Sequence, residues 1–380
     1  MKIGVIGGGP AGLLFAYLMA KRDPGHDIRI AERDPAEATY GWGVVFSDVA
    51  LAFVREADDR LHHALSRNQV VHDAMRIVHR GVAVPLPNNV FHRMARIELL
   101  RTLREFCSGV GVRIEYCRPI SDPAQMGECD LVVAADGANS AVRSLYRGHF
   151  EPAVEVRPNK LAWYGTTQLF EPLSLIFREH ADGLLIAHAY RYSATHSTFL
   201  VECDPQTFHA AGLESMSEAQ SLAYCEAVFG EDLEAHRLLS NRSAWFTYAI
   251  VRNRRWYRDN LVLLGDALRT GHPSVGSGTR LAMQDAIALY RAFEAVGDDV
   301  PAALAEFEAK RRPPSDALQE AAVRSTEWYE TVRSRLELDP ISFAYSYLRR
   351  TGRVNHEDVK RRDPELARAY EALHAAAGGL

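Results

Sequence analysis

The chain has 380 residues, 47% hydrophobic and 24% charged, with 44 basic against 49 acidic side chains and a net charge of −5. That length can bury one large core or two interleaved ones, and the mild acidity lacks the basic footprint of a nucleic-acid binder. Five scattered cysteines without a CxxC pair and fifteen histidines without metal-ligand spacing point to neither a disulfide framework nor a metal site, and fit a reduced, cytoplasmic setting.

The chain opens on an apolar strand at 2–6 (KIGVI), a helix at 11–22 that is apolar nearly all round, and a strand at 27–32 (DIRIAE). This order is a βαβ unit. With a strand starting at Lys2, no secretory or transit segment is expected. The apolar run 13–20 is far short of the roughly 20 residues that span a bilayer, so a soluble protein without a membrane partner is expected. A helix at 96–107 stops near Gly109 and Gly111, and strands follow at 112–117 and 130–135. Four runs rich in aromatic and β-branched residues, 161–170, 173–177, 184–192 and 197–203, read as an antiparallel meander. Helical patterns at 205–237 and strands at 244–251 and 260–264 (NLVLL) lead to a region that is helical from 281 and broken at Pro313-Pro314. The expected fold is α/β. A discontinuous Rossmann-like cofactor domain covers 1–75, 95–155 and 255–310. An inserted antiparallel-sheet substrate domain covers 76–94 and 156–254, and a helical region covers 311–380.

Gly7-Gly8-Gly9-Pro10-Ala11-Gly12 fits G-x-G-x-x-G between strand and helix. Gly7 permits the turn, Gly9 lets backbone approach a pyrophosphate, and Gly12 lets helix pack on strand. The helix start at Pro10 and Ala11 offers free N–H groups to phosphate. Glu32 lies twenty residues after Gly12 at the end of the second strand, placed to accept hydrogen bonds from a ribose, with Arg33 beside it. Asp136-Gly137 follows the strand at 130–135, at the end of a strand where open α/β sheets hold ligands; a capped helix start is the other reading. Gly265-Asp266 follows the strand at 260–264 and precedes Pro273, Gly276, Gly278 and Thr279. Its carboxylate suits a polyol chain, and its glycine loop suits a flat ring system. Two nucleotide-cradling elements about 250 residues apart in sequence indicate one long cofactor gripped from both of its ends, FAD.

With these elements in order, and with Arg96-x-x-Leu99 opening a helix, the chain resembles the single-component FAD-dependent aromatic hydroxylases of the para-hydroxybenzoate hydroxylase type. The resemblance spans nearly the whole chain and implies that Arg96 lies beside the FAD phosphates. It also implies that NADH or NADPH is the reductant and O2 the co-substrate, with oxygen reaching an electron-rich ring through a flavin C4a-hydroperoxide. A closer resemblance, to the salicylyl-CoA 5-hydroxylases and the monooxygenase half of 2-aminobenzoyl-CoA monooxygenase/reductase, is carried by several segments. These are Gly41-Trp42-Gly43-Val44-Val45-Phe46-Ser47-Asp48, Trp163-Tyr164-Gly165-Thr166-Thr167, Ala187-His188-Ala189-Tyr190-Arg191-Tyr192, Ser197-Thr198-Phe199 and Arg353-Val354-Asn355-His356-Glu357. It implies a small aromatic substrate held as a CoA thioester, such as salicylyl-CoA hydroxylated at position 5 to gentisyl-CoA. Similar middle segments occur in the tryptophan-derivative hydroxylase of violacein synthesis. A free or carrier-bound amino-aromatic, or an indole, is therefore the alternative substrate, and a non-catalytic flavin-binding regulator the alternative class.

There are departures. Many relatives place an arginine where Gly41-Trp42-Gly43 stands, and common relatives read Gly-Asp-Ala-Ala-His where this chain has Leu268-Arg269. The bifunctional enzymes continue into a second flavin domain, so no ring-reducing activity is expected of a sequence ending at Leu380. Within the substrate domain, His188, Tyr190 and Tyr192 alternate along one strand and share a face. His188 can polarise a ring hydroxyl; a face packed on the core is the other reading. His272 and Pro273 are further candidates at the ring, and Trp42 is a candidate wall. Arg349, Arg350, Arg353, Lys360, Arg361 and Arg362 could meet the CoA phosphates or form a solvated helix face. Monomer and homodimer are both compatible with the sequence.

Overall fold

An apolar strand such as KIGVI is stable only when both of its faces are covered, and the chain supplies cover by alternating strands with helices. The computed structural model describes residues 1–38, 41–47, 49–67, 69–271 and 278–377. In chain order it runs β1 (Lys2–Ile6), α1 (Pro10–Arg22), β2 (Asp27–Ala31), β3 (Gly43–Ser47), α2 (Val49–Ala57), α3 (Asp59–Ser66), β4 (Val70–His79), β5 (Val82–Ala95), α4 (Arg96–Gly109), β6 (Arg113–Glu115), β7 (Leu131–Ala134), α5 (Ala141–Leu145) and α6 (Arg147–Phe150). Then come β8 (Pro152–Thr166), β9 (Leu173–His180), β10 (Gly183–Arg191), β11 (Ser197–Cys203), α7 (Pro205–Ala210), α8 (Glu218–Val228), α9 (Gly230–Leu233), β12 (Leu238–Leu239), β13 (Phe246–Asn253), β14 (Tyr257–Arg258) and β15 (Leu261–Leu263). The chain closes on α10 (Gly278–Val296), α11 (Val300–Glu330), α12 (Pro340–Arg349), α13 (His356–Arg362) and α14 (Pro364–Ala377). None of these helices is long and apolar enough to cross a membrane, among the described residues.

Two sheets result. The smaller has the order β14-β15-β7-β1-β2-β6 and is parallel except for β14. Helix α1 is buried along nearly its whole length beneath α4 and α10, which explains why it is apolar all round. The larger sheet has the order β12-β8-β11-β10-β9-β4-β5-β3, with β13 also on β8. Along β10, Leu184, Ile186, His188 and Tyr190 face one way and Leu185, Ala187 and Ala189 the other. The second face packs against α8 and α9, and the first against the end of α11 and the helices that follow it.

The structure corrects four expectations. The aromatic-rich strands are not a simple meander: β8 pairs with β11, and β9 pairs in parallel with β4. Strand β8 begins at Pro152, nine residues before the expected 161, because β13 pairs with its polar first half. Strand β3 lies inside the expected cofactor segment 1–75 and β4 straddles its end, yet both pair in the larger sheet through β5. Helix α11 does not break at Pro313-Pro314 but runs through both. The missing N–H groups cost roughly 3 kcal/mol or more for a proline in a helix interior. Packing on both sides offsets that cost, with Phe307 in the first core and Trp328 and Tyr329 in the second.

Candidate active site

The two sheets meet at a cavity of about 370 Å³. On one side it is bounded by Pro10 at the start of α1, Arg96 at the start of α4, Asp266 after β15, and Gly278 and Thr279 at the start of α10. On the other side stand the larger sheet's Leu175, His188 and Leu200, which are direct cross-strand neighbours. Each helix start presents backbone N–H groups without intrahelical partners, an arrangement that favours bound phosphate or other negative charge.

The glycine turn has the shape its spacing predicts. Gly7 has φ +108°, and a Cβ there would sit 2.3 Å from the carbonyl oxygen of Ala135. A Cβ on Gly12 would lie 2.2 Å from the carbonyl oxygen of Gly7 and 3.0 Å from Val5 Cγ1, whereas one on Gly9 would meet nothing within 4 Å. Ala11 is buried in the first turn of α1. Glu32 braces this loop from β2, accepting from the Gly8 N–H at 2.6 Å and the Asp34 N–H at 2.9 Å. Arg33 points outward to Asp34. Gly12→Ala is expected to lower stability by about 1–3 kcal/mol, as overpacked sites do. Gly9→Ala is expected to leave the apoprotein's melting temperature unchanged yet weaken dinucleotide retention. Thermal melts with and without added cofactor separate the two; equal melting temperatures for the two apoproteins would contradict the assignment.

Asp136 stands at the end of β7, one oxygen accepting from the Val142 N–H at 3.3 Å and Oδ1 buried without a partner. Gly137 follows at φ +87°. The Asp266 carboxylate is exposed to the cavity itself. Surrounding protein pushes its pKa up, opposed by the Arg96 guanidinium and assisted by Asp285. Burial likewise lowers the Arg96 pKa, with Asp266 opposing. A cation and an anion thus share the cofactor side of the cavity.

The sheet side is a slot for a flat ring. His188 is buried, its Nε2 3.0 Å from Glu202 Oε2 and its ring 5.2 Å from that of Tyr329. Glu202 is fully buried on β11, and its Oε1 accepts from Asn159 Nδ2 at 2.8 Å. Tyr190 also lines the slot, but its hydroxyl donates to the Gly43 carbonyl at 2.8 Å, and burial holds its pKa at about 12. That phenol anchors a loop and keeps its proton. Tyr192 lies beyond the end of β10 and packs where a Cβ on Gly43 would fall, so it does not continue the row of His188 and Tyr190.

Trp42 does not wall the slot. Its ring lies against Gly165, and its indole N–H donates to the Trp163 carbonyl at 3.3 Å. Trp163 lines the cavity instead, its ring against Gly41. The two tryptophan–glycine pairs interlock reciprocally, which fixes the 41–43 loop on β8. The tyrosine Tyr248, on β13, donates to the Gly271 carbonyl at 2.6 Å and borders the cavity; burial, with Asp266 nearby, raises its pKa well above the ordinary tyrosine value. His272, Pro273 and Gly276 lie outside the described residues. Sequence reasoning missed Glu202, Tyr248 and Trp163 as site residues. A carboxylate directly after the apolar run 199–201 was the available signal for the first.

The family described as FAD binding domain matches residues 111–322. A salicyloyl-CoA 5-hydroxylase from a Streptomyces species is 36% identical over 361 residues, covering 92% of this chain and 70% of the relative. The chain belongs to the FAD-dependent aromatic monooxygenases. A second such monooxygenase, protodeoxyviolaceinate monooxygenase of Chromobacterium violaceum, is also 36% identical, over 91% of this chain and 94% of its own length. The fold is that of the solved 2-methyl-3-hydroxypyridine-5-carboxylic acid oxygenase, which superimposes with a TM-score of 0.72 at 20% identity over 95% and 97% of the two chains.

As a monooxygenase of this family the chain uses FAD, NAD(P)H and O2, and its cavity fits the flavin cofactor. The space before Gly9, Gly137 and Gly278 is open, Asp136 Oδ1 is orphaned, and the starts of α1 and α10 face the cavity. The departure at Leu268-Arg269 is structural. Arg269 is buried against Asp285 and stacked 4.6 Å over Trp256.

Proposed function

We propose that this monooxygenase hydroxylates the aromatic ring of an aryl-CoA thioester, with salicyloyl-CoA attacked para to its hydroxyl as the leading case. Gly7, Gly9, Pro10, Ala11, Gly12, Glu32, Arg33 and Arg96 would hold the adenosine and pyrophosphate of FAD. Asp136, Gly137, Asp266, Gly278 and Thr279, with Pro273 and Gly276, would hold its ribityl and ring end. FAD held there would supply the electron transfer from NAD(P)H to O2 by which one oxygen atom of O2 enters the ring.

The observation that carries the reading is His188, held by Glu202 and facing an apolar slot opposite the cofactor wall. With Nε2–H donating to Glu202, Nδ1 is the acceptor for a proton from a ring hydroxyl, and the carboxylate stabilises the imidazolium that forms. Removing that proton enriches the ring with electrons at the position para to oxygen. Leu175, Leu200 and Trp163 hold the ring flat and keep water out. The 36% identity to a salicyloyl-CoA enzyme supports the thioester; the equal identity to protodeoxyviolaceinate monooxygenase supports an amino-aromatic or indole as the second reading.

The test is NAD(P)H oxidation with product analysis across aryl acids, amino-aromatics and their CoA thioesters. Stoichiometric hydroxylation of salicyloyl-CoA without turnover of free salicylate is expected. Efficient turnover of a free acid would remove the thioester from the proposal.

A further inference from the structure

The C-terminal helices carry a second opening that ring chemistry does not use. A groove of about 630 Å³ lies between the end of α11 and the helices after it, walled by Arg324, Arg335, Arg349 and Arg350, with Glu327 the one lining carboxylate among the described residues. Arg324 donates to the Thr351 carbonyl at 2.7 Å, and Arg335 to that of Thr331 at 2.9 Å. Arg349 lies over the Tyr345 ring. None of these three has a carboxylate partner among the described residues. By contrast, Lys360 and Arg361, from the same basic stretch of sequence, are matched by Glu371 and Asp358. Of that basic stretch, Lys360 and Arg361 are neutralised, whereas Arg349 and Arg350 line the groove.

The groove also offers flat aromatic surface. Tyr345 and Tyr370 stack at 3.6 Å and 8°, and His374 extends the stack. Guanidinium forks suit phosphate, and aromatic and guanidinium planes suit a purine. Arg350 lines both this groove and the ring cavity. Its Nε donates to Ser325 Oγ at 2.9 Å, and it lies 3.7 Å over Tyr347, another residue of the cavity wall. At that point one side chain separates the two spaces.

We propose that this groove binds the phosphate-bearing adenosine end of the CoA thioester, with the acyl arm passing Arg350 into the ring slot. The inference rests on the thioester reading above. NADPH carries similar chemistry, but the groove adjoins the ring slot through Arg350, and the proposed function puts the substrate in that slot.

The variants Arg324→Glu and Arg349→Glu, at exposed positions away from the ring, test this in the FAD-loaded enzyme. The KM for salicyloyl-CoA is expected to rise about tenfold or more per reversed contact with kcat little changed. The KM for the N-acetylcysteamine thioester, which lacks the nucleotide, and the KM for NADPH should not move. Equal shifts for both thioesters, a shift in NADPH alone, or no shift would overturn the groove assignment while leaving thioester turnover intact. Should the enzyme turn over no thioester, the parent reading has failed, and calorimetric titration with CoA itself decides the groove. CoA binding that is lost in Arg349→Glu supports it; absence of CoA binding by the unaltered enzyme overturns it.

Discussion

Asp285→Ala is expected to destabilise the protein by about 3–5 kcal/mol, the range for removing one partner of a buried ion pair. Asp285 is fully buried on α10 and pairs with Arg269 at 2.5 Å and Arg311 at 2.8 Å. Arg269 is only 3% exposed, and its Nε and Nη1 already lack partners. Burial lowers its pKa, and the Asp285 carboxylate is the main opposing influence. Without that carboxylate, the buried Arg269 and the partly buried Arg311 lose the counter-charge they share, and Arg269 keeps only the weaker influence of Asp316. Trp256 cannot compensate, since Arg269 and Arg312 already lie over its ring at 4.6 and 4.7 Å. Asp285→Asn, which keeps a hydrogen-bond acceptor, should cost less. Denaturant midpoints of the apoprotein measure both variants. A loss below about 1 kcal/mol for the alanine variant would mean that the cluster is not what joins α10 to α11.

His188→Ala is expected to lower coupled hydroxylation by about 10²-fold or more, within the range for a positioned acid–base group. Flavin binding should be unchanged, because the hydrogen-bond and ring partners of His188 among the described residues are Glu202 and Tyr329, neither of them on the cofactor side. Glu202→Gln keeps the shape of its side chain and loses the charge, so it should give a smaller fall together with an altered pH profile. The double variant should be no slower than His188→Ala alone, since two residues acting as a unit are not additive. Tyr190→Phe should have a small effect, as its hydroxyl serves the Gly43 carbonyl. Product formed per NAD(P)H oxidised is the quantity to follow. If the His188 and Glu202 effects simply multiplied, the pair would not be a relay; if His188→Ala and Tyr190→Phe both hydroxylated at the parent rate, the slot itself would be misplaced.

The cofactor half was legible in the sequence because its determinants are local. A strand, a glycine turn and a helix start lie within a dozen residues at 2–12, and the same logic repeats before Asp136 and Asp266. The substrate half was less so. Strand β4 (VVHDAMRIVH) breaks clean alternation, and its partners lie far away in sequence, so no local pattern marks it. The proline pair looks like a helix end because propensity is local, whereas the packing that overrides it is tertiary. Trp42 and Trp163 each sit one or two residues from a glycine and exchange roles across the sheet; only the fold shows which ring faces the cavity. Glu202 was visible as a carboxylate directly after an apolar run, but its partner on β10 depends on sheet register.

The end of helix α11 and the helices after it cover a sheet face that is laid down in the chain long before they exist. The two strands of that face carrying Leu175, Ile186 and His188 are complete at Arg191, and their cover begins at Trp328. At roughly 5–20 residues per second of synthesis, the nascent chain therefore carries an uncovered apolar sheet for roughly 7–30 s. A ribosome that stalled near the proline pair would release a product with that face still bare, a ready substrate for chaperones or for aggregation. The order in which this protein is made is thus as much a constraint on its yield as the stability of the finished fold.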